Sequence, residues 1–355
     1  MKKIVMIVFL IGVVFAVFTF FNKNIAEETF NNTIIETPSP TAAPKIEQGS
    51  ITVINTDAET LLPIPGTIYT ITNSDTSVIV ETLTTDAAGK ARSGLLDYGT
   101  SYLIRQQEIM MPYQLVDEDI HVDINAPNQE FTMNNQMPEH VKKTVRTEDG
   151  RIVIKKVYID VPTVMQKPEL PNGCEITSLT AVLNYYGYEA TKTQMSDTYL
   201  PKRAFSSKDG KLYGPDPYQY YAGEPRDLKG GFFSFAPPIV DAANLYFDAV
   251  GRSNSTADIS GSTREQIMDQ LNAGIPVVMW ITLDLTPPKM NYGWNYNDTG
   301  EYHIAPVNLH VAVINGYEDN KVHVMNPLEG QVTYDADTFF NSYEEMGSHA
   351  MIVGS

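Results

Sequence analysis

Hydrophobic positions change their spacing several times along the 355-residue chain. Residues 1–24 contain an uncharged apolar run, from Ile4 to Phe21. Residues 25–48 are rich in Pro, Thr, Asn and Glu without a sustained apolar period, which predicts a disordered stalk. From 49 to 136, short runs alternate Val, Ile, Thr or Tyr with polar residues, and turns such as "DAAGK" separate them. This last pattern predicts a small all-β sandwich.

The pattern becomes mixed in the second half of the chain. Residues 137–155 are charged and turn-rich, and we interpret them as a linker. In residues 156–355, "PNGCEITSLTAVLNYYG" (171–187) has the apolar spacing of a helix, whereas "IPVVMWITL" (275–283) is typical of a buried strand. "LHVAVINGYEDNKVHVMNP" (309–327) indicates two strands joined by a tight turn. Helices precede strands without regular βαβ alternation, which predicts an α+β domain.

Two further helices carry end signals. "PPIVDAANLYFDAVG" places Pro238 in a first helical turn, where proline is tolerated. "STREQIMDQLNAG" predicts a helix that begins with a capping box from Ser262 to Glu265 and stops at Gly274.

The apolar run near the start has the length of a membrane span. Lys2 and Lys3 precede it, and neither a small-x-small cleavage motif nor a lipobox cysteine follows it. Residues 1–24 therefore predict an uncleaved signal anchor, with the lysines inside and both domains outside a single-pass cell membrane protein. The alternative is a cleaved signal peptide and a secreted protein. Both interpretations place most of the chain outside the cytoplasm.

Charge and motifs exclude several functions. The formal net charge is -18, and the sequence shows no basic patch of the kind that nucleic acid requires. It contains no two-cysteine metal knuckle, H-E-x-x-H motif, phosphate loop or dinucleotide fingerprint. We therefore expect no nucleic-acid partner, no metal and no cofactor.

The chain contains one cysteine, Cys174. Exported proteins tend to use cysteines in pairs, and a single cysteine cannot close a disulfide within its own chain. The residue is either a small buried hydrophobe or a reactive thiol. It follows an Asn172-Gly173 turn and opens a helical run, a position that lowers a thiol pKa; a neighbouring imidazole would lower it further.

A cysteine nucleophile needs a base and an orienting group. Among six histidines, His310 opens an apolar strand, and the return strand of the hairpin ends at Asn326, whose amide oxygen can accept the imidazole N–H. Gln166 lies eight residues before Cys174, where its amide can stabilise an oxyanion. A structural histidine and a surface glutamine are the alternatives. His323, on the return strand, is expected to point to solvent.

Several quoted stretches resemble one family in combination: "VPTVMQ…NGCEITSLTAVLNYYGY", "LYGPDPYQYYAGEP", "APPIVDAANLYF", "HVAVINGYED" and "VHVMNPLEG". They are similar to the C39-like branch of the papain-type cysteine peptidases, from about residue 158 to 353. The resemblance implies a papain-like fold, with a nucleophile helix against an antiparallel sheet that bears the base. It implies Cys174 as nucleophile, His310 as general base and Gln166 as oxyanion partner. Asn326 stands where many relatives have an aspartate before proline.

Residues 49–136 resemble the prealbumin-like repeats of Gram-positive surface proteins, the SpaA or Cna B-type family. Many such repeats form an internal Lys–Asn isopeptide bond with the help of a buried acid. Here the first strand, "ITVINT", has no lysine, and "YLIRQQ" has no acid. We expect no isopeptide bond, and a spacer or a module that docks on the cell wall or on surface proteins.

The leading hypothesis is a membrane-anchored thiol peptidase that hydrolyses peptide or amide bonds of a peptide or protein substrate through a Cys-His-Asn acyl-enzyme mechanism. One alternative is an acyl transferase that hands the acyl group to an amine. Another is a non-catalytic adhesin or binding module. The aromatic stretch from "YGPDPYQYY" to "GGFFSF" is interpreted equally well as core and as a cleft wall.

Overall fold

A computed structural model describes residues 47–148 and 150–354. The predicted signal anchor, residues 1–24, lies outside the described residues, as does all but the end of the predicted stalk. Gln48, the last residue of that stalk, is the first residue of a strand. Within the described ranges, no helix is both long and apolar enough to cross a membrane.

The N-terminal part is a sandwich of two four-stranded sheets, as the alternating pattern predicts. One sheet has the order β4-β1-β5 with β8 paired to β1, and the other has the order β3-β2-β6-β7. Strand β8 runs parallel to β1, whereas the other pairs are antiparallel. The strands are β1 Gln48–Asp57, β2 Ile68–Asn73, β3 Ile79–Thr84, β4 Lys90–Arg92, β5 Leu96–Asp97, β6 Ser101–Glu108, β7 Ile120–Asp123 and β8 Asn128–Asn135.

The sandwich core follows from the alternation of apolar and polar positions along these strands. Ile51 and Val53 of β1 are fully buried, as are Tyr69 and Ile71 of β2 and Ile104 of β6. Successive side chains of a strand point to opposite faces, so these apolar positions meet between the two sheets. Burial of this apolar surface is the main contribution to the stability of the sandwich.

A hydrogen-bonded amide network completes this core. The Asn135 Nδ2 donates to Gln106 Oε1 at 2.8 Å, and Gln106 Nε2 donates back to Asn135 Oδ1 at 3.1 Å. The Tyr69 hydroxyl accepts from Gln106 and donates to Asn55 Oδ1 at 2.9 Å. Residues 49–136 contain one lysine, Lys90, and its side chain is exposed. The absence of an isopeptide bond stays a prediction.

The C-terminal domain packs helices against an eight-stranded sheet of order β15-β22-β16-β19-β10-β9, in which β20 pairs with β19 and β21. Smaller sheets join β11 to β14, and β12-β13-β17-β18. The elements are β9 Val141–Arg146, β10 Ile152–Tyr158, α1 Cys174–Tyr185, α2 Lys192–Gln194, a π-helical turn Met195–Tyr199, β11 Lys202–Arg203, β12 Ser206–Lys208, β13 Lys211–Gly214, β14 Tyr221–Ala222, α3 Ala236–Val250, β15 Ser255–Asp258, α4 Arg264–Asn272, β16 Val277–Thr282, β17 Tyr292–Tyr296, β18 Tyr302–Ala305, β19 Leu309–Glu318, β20 Lys321–Asn326, β21 Gly330–Asp335, α5 Ala336–Glu345 and β22 Ala350–Gly354.

The region interpreted as a linker, residues 137–155, is largely folded. It forms β9 and the first part of β10, and β10 pairs with the end of β19. The polar composition of β9 fits its position at the edge of the sheet, because an edge strand has less of its surface covered. Arg146 also donates to the Pro63 carbonyl of the sandwich at 3.0 Å.

Helix α1 has the predicted start and end. It begins at Cys174, after Gly173 as N-cap, and Gly187 follows its end with a φ of 81°. The pattern predicts one apolar stripe, but all ten residues from Cys174 to Leu183 are buried. Strands β16 and β19 cover one side of the helix and α3 covers another. The helix is therefore central, and its polar side chains are buried as well.

The two other predicted helices also form. Helix α3 has prolines in its first turn and ends at Gly251 in the left-handed region, with a φ of 68°. The capping box of α4 is formed by Thr263 and Gln266, one residue beyond the predicted Ser262–Glu265 pair. The Ser262 hydroxyl instead donates to the Ile259 carbonyl at 2.6 Å.

Candidate active site

The thiol of Cys174 is held by a tight loop at the start of α1. A Cβ added to Gly173 would lie 2.8 Å from the Leu170 Cβ, so the turn requires glycine. The backbone N–H of Asn172 donates to the Pro225 carbonyl, and the Asn172 carbonyl accepts from the Tyr221 hydroxyl at 2.5 Å. Because Cys174 is the first helical residue, its backbone N–H has no acceptor within the helix. This N–H is available to an oxyanion.

The environment of the thiol differs from the predicted one. Burial raises the pKa of Cys174 well above its ordinary value, and the adjacent Glu175 carboxyl raises it further. The thiol S–H donates to Glu175 Oε2 at 3.3 Å. A hydrogen bond from the Val311 backbone lowers the pKa, but its effect is smaller. The predicted lowering of the pKa is therefore wrong, because desolvation and a neighbouring carboxyl outweigh the partial charge at a helix start.

His310 and Asn326 meet as the hairpin predicts. Strands β19 and β20 pair across a two-residue turn, and His310 Nε2 donates to Asn326 Oδ1 at 2.9 Å. An amide oxygen only accepts, so Nε2 carries the hydrogen and Nδ1 of the neutral ring keeps a lone pair. Burial lowers the pKa of His310 to about 4, although the bond to Asn326 opposes this shift. His310 is therefore a neutral imidazole with one basic nitrogen.

Hydrogen bonds from residues other than His310 fix the orientation of the Asn326 amide. Its Oδ1 also accepts from the Leu328 backbone N–H at 2.9 Å, and its Nδ2 donates to the Tyr334 hydroxyl at 3.0 Å. Asn326 is 1% exposed and lies behind His310. These bonds direct the amide oxygen to the imidazole.

Gln166 is buried at the same site. Its Nε2 donates one hydrogen to the Pro171 carbonyl at 2.7 Å, which leaves the second hydrogen of that amide for another acceptor. The backbone N–H of Gln166 donates to the Pro327 carbonyl at 2.8 Å. This bond connects the predicted oxyanion partner to the residue that follows Asn326. In the described part of the chain, the buried Gln166 Oε1 has no hydrogen-bond partner.

A cleft of about 290 Å³ brings three of the four predicted residues together. Cys174, His310 and Gln166 all line it, whereas Asn326 does not and acts through the imidazole. The remaining wall is mostly apolar. It consists of Lys167, Pro171, Asn172, Gly231, Phe232, Phe233, Leu283, Pro306, Val307, Leu309 and Leu328.

The aromatic stretch serves both predicted purposes. Phe232 and Phe233 line the cleft, whereas Tyr221 is fully buried and supports the Asn172 loop. His323 is half-buried: it lies edge-on to the Tyr158 ring at 5.5 Å, and its Nδ1 is 3.1 Å from the Thr333 hydroxyl. His323 is therefore only partly exposed, not fully as predicted, because Tyr158 of β10, on the far side of β19, packs against its ring.

The sequence reasoning missed Glu175 and the cleft wall from β16 to β19. Glu175 is a charged residue inside an apolar helical run, and that signal marks a buried acid. The wall residues Leu283, Val307 and Leu309 lie far from Cys174 in the sequence and carry no local signal. Among the described residues, no group of three or more His, Cys, Asp or Glu side chains is arranged to hold a metal ion.

Comparison with known proteins agrees with both resemblances. The profile of the Peptidase_C39 like family matches residues 158–351, and that of the SpaA prealbumin-like fold domain matches residues 49–137. YvpB of Bacillus subtilis strain 168, described as an uncharacterized protein, is 28% identical over 193 residues. That similarity covers 53% of this chain and 72% of YvpB.

Solved structures are similar to each part. A candidate C39-like peptidase from Bacillus anthracis is 25% identical with a TM-score of 0.49, over 56% of this chain and 97% of the other. BcpA, the major pilin subunit of Bacillus cereus, is 19% identical with a TM-score of 0.24, over 26% of this chain and 30% of BcpA. Because the peptidase-like profile matches more than half of the 355 residues, the chain belongs to the Peptidase_C39 like family.

Proposed function

We propose that this protein is a cysteine peptidase that cleaves peptide or amide bonds through an acyl-enzyme formed on Cys174. The observation that carries the proposal is the His310–Asn326 hydrogen bond, which leaves Nδ1 as the basic nitrogen of an imidazole that lines the same cleft as the chain's one thiol. Membership of the Peptidase_C39 like family supports the same reaction class.

The resting site holds two neutral groups. The pKa of the Cys174 thiol is raised and that of His310 is lowered, and both shifts oppose a thiolate–imidazolium pair before substrate binds. His310 Nδ1 therefore takes the thiol proton as the sulfur attacks the substrate carbonyl carbon. The C–S bond forms while the carbonyl electrons move to oxygen.

The developing oxyanion is stabilised by two donors, the second Nε2 hydrogen of Gln166 and the backbone N–H of Cys174. Collapse of this intermediate breaks the C–N bond, and the leaving amine takes the proton from His310. Water then attacks the acyl-enzyme, with His310 as base, and releases the acid and the thiol. Asn326 keeps the imidazole in the tautomer that both steps need.

The proposed location is the outside of the cell membrane, as a single-pass protein. The apolar run from Ile4 to Phe21 supports an anchor, and the SpaA-like sandwich supports a spacer or a module that contacts cell-wall or surface proteins. A peptide or protein is the proposed substrate, because most of the residues that line the cleft beside Cys174 and His310 are apolar or aromatic.

Incubation of the full-length protein in detergent with a peptide library, and mass analysis of the products, tests the proposal. We expect new amino termini at defined bonds, a covalent adduct with a thiol-directed peptidase inhibitor, and loss of both in Cys174→Ala. Products joined to an added amine would indicate an acyl transferase. Binding of peptides without any covalent chemistry would contradict the enzyme and indicate a binding module.

A further inference from the structure

The site contains a buried acid that the mechanism above does not use. Glu175 is fully buried in the first turn of α1. Its Oε1 accepts the Ser234 backbone N–H at 3.1 Å, and its Oε2 lies 3.3 Å from the Cys174 sulfur. One carboxyl oxygen is thus fixed by the loop before α3, and the other contacts the reacting atom.

Burial strongly disfavours an ionised carboxylate at this position. Burial raises the pKa of Glu175 to about 7, although the backbone N–H groups of Glu175 and Ser234 and the Cys174 thiol favour the ionised form. Both protonation states are therefore populated near neutral pH. Among the described residues, no lysine, arginine or other carboxylate contributes to the shift of this pKa.

The titratable groups around Glu175 are few. Cys174 lies on the same helix, His310 lines the cleft from β19, and Tyr221 faces the pair from β14. Burial, with a contribution from Glu175, raises the pKa of Tyr221 well above its ordinary value, so its hydroxyl stays neutral. His310 is neutral above its pKa of about 4. Glu175 is the group of this set that titrates near neutrality.

We propose that Glu175 is a third proton-carrying group of the active site, which suppresses the Cys174 thiolate when ionised and stabilises it by a hydrogen bond when protonated. This inference deepens the proposed peptidase function and rests on it for its catalytic meaning. The contact between Oε2 and the sulfur carries it, because the two atoms share one proton position.

The proton balance differs between the two states. With Glu175 ionised, the S–H donates to Oε2, and transfer of that proton to His310 leaves two negative charges about 3.3 Å apart. With Glu175 protonated, its O–H donates to the sulfur. The thiol proton then moves to His310 Nδ1 while the carboxyl proton stays in place, and the thiolate forms beside a donor.

A pH optimum follows from these two groups. As pH rises through about 7, Glu175 ionises and kcat/KM falls. As pH falls through about 4, His310 is protonated in the free enzyme and kcat/KM falls as well. The site therefore works best at mildly acidic pH.

The test measures the thiol directly, so that it does not depend on peptide cleavage. The full-length protein in detergent is alkylated with iodoacetamide, a neutral reagent that reacts with the thiolate, over a range of pH. Glu175→Gln removes the charge but keeps an oxygen for the Ser234 N–H and an N–H donor for the sulfur. At about pH 8, one unit above the pKa of Glu175, we expect alkylation about tenfold faster than in the wild type.

Glu169→Gln is the matched control. Glu169 pairs with Lys192 at the surface at 2.6 Å, so this change removes one negative charge near the cleft without touching the thiol. Alkylation at the wild-type rate is expected. Equal acceleration in both variants, or none in Glu175→Gln, overturns the inference.

The pH profile of alkylation of the wild-type protein is a second measurement. It tests the inference even if Glu175→Gln does not fold. A thiol coupled to a carboxyl ionises in two steps, so its alkylation rate rises to a plateau and then rises again. A profile with a single ionisation contradicts the inference. Cleavage of peptides together with such a single-step profile refutes this inference alone. A two-step profile without cleavage of any peptide refutes the proposed function instead.

Discussion

The sandwich and the C-terminal domain differ in whether their buried polar groups have hydrogen-bond partners. In the sandwich, Asn55, Gln106 and Asn135 close a network in which amides pair with one another and with neighbouring hydroxyls. Every buried side-chain nitrogen or oxygen that lacks a partner among the described residues lies in the C-terminal domain. The atoms that belong to α1 or its surroundings are Gln166 Oε1, Thr177 Oγ1 and Ser234 Oγ.

This difference distinguishes a region whose buried polar groups stabilise the fold from a region whose buried polar groups serve the candidate site. A satisfied polar network rigidifies a core, whereas an unsatisfied buried group costs free energy and persists where another role compensates for it. The sandwich is therefore expected to respond to mutation through stability, and the α1 region through activity.

The largest expected effect is the loss of activity in Cys174→Ala, because the described chain has no second thiol. His310→Ala should cost nearly as much, and the double variant should be no worse than either single variant, because both residues serve the same step. The measurements are kcat/KM and the free energy of unfolding, and the latter should change little in comparison.

His303→Ala is the matched control for this prediction, since His303 bonds the Tyr296 hydroxyl at 2.9 Å and does not line the cleft. Loss of activity in His303→Ala together with normal activity in His310→Ala would show that the base is misassigned.

A smaller effect is expected for the two supporting amides. Gln166→Ala should lower kcat by about 10²-fold, the usual effect of losing one oxyanion donor. Asn326→Ala should cost less than His310→Ala, because Asn326 orients the imidazole without taking part in proton transfer. The exposed Gln219→Ala serves as control in the same assay. Unchanged kcat in Gln166→Ala would remove this residue from the mechanism.

In the sandwich, Asn135→Ala should lower the free energy of unfolding by about 1–3 kcal/mol, because it removes two buried hydrogen bonds to Gln106 and one to the Gln114 carbonyl. The kcat/KM of the folded protein should stay unchanged. Denaturant unfolding measures the loss, with the exposed neighbour Asn134→Ala as control. A loss of activity without a loss of stability would contradict the contrast between the two domains.

The last prediction concerns the mass of the sandwich, which we expect to equal the value calculated from its sequence. The intact mass of the sandwich should show no loss of ammonia or water, because its first strand carries no lysine. A mass deficit localised to residues 49–136 would reveal an isopeptide bond and a covalent rather than a hydrogen-bonded closure of this core.

Local signals predicted much of the candidate site. The Asn-Gly turn before Cys174 predicted the start of α1, and the length of the hairpin predicted that His310 and Asn326 meet. Both depend on residues close together in the sequence. The spacing of apolar residues and the turn residues were therefore sufficient to predict the start of α1 and the meeting of His310 with Asn326.

The features that the sequence did not predict depend mainly on contacts between residues far apart in the chain. The direction of the Cys174 pKa depends first on burial and then on Glu175; α1 packs against β16, β19 and α3, and the helix sequence does not encode these contacts. Within residues 137–155, β9 pairs with the first part of β10, and the end of β10, Lys156–Tyr158, joins this pair to β19 more than 150 residues later. The one-residue error at the capping box arises because Ser262 has a competing acceptor in the preceding turn.

Strand β10 also determines where a fragment that contains the C-terminal domain can begin. A fragment that starts at residue 158, where the family match begins, would lack β9 and nearly all of β10. It would expose the edge of β19 opposite the fully buried Val157, on the strand that carries His310. A fragment that starts at about residue 139 keeps this edge paired. The unit suited to expression and crystallisation is therefore longer than the stretch of sequence similarity at its amino end.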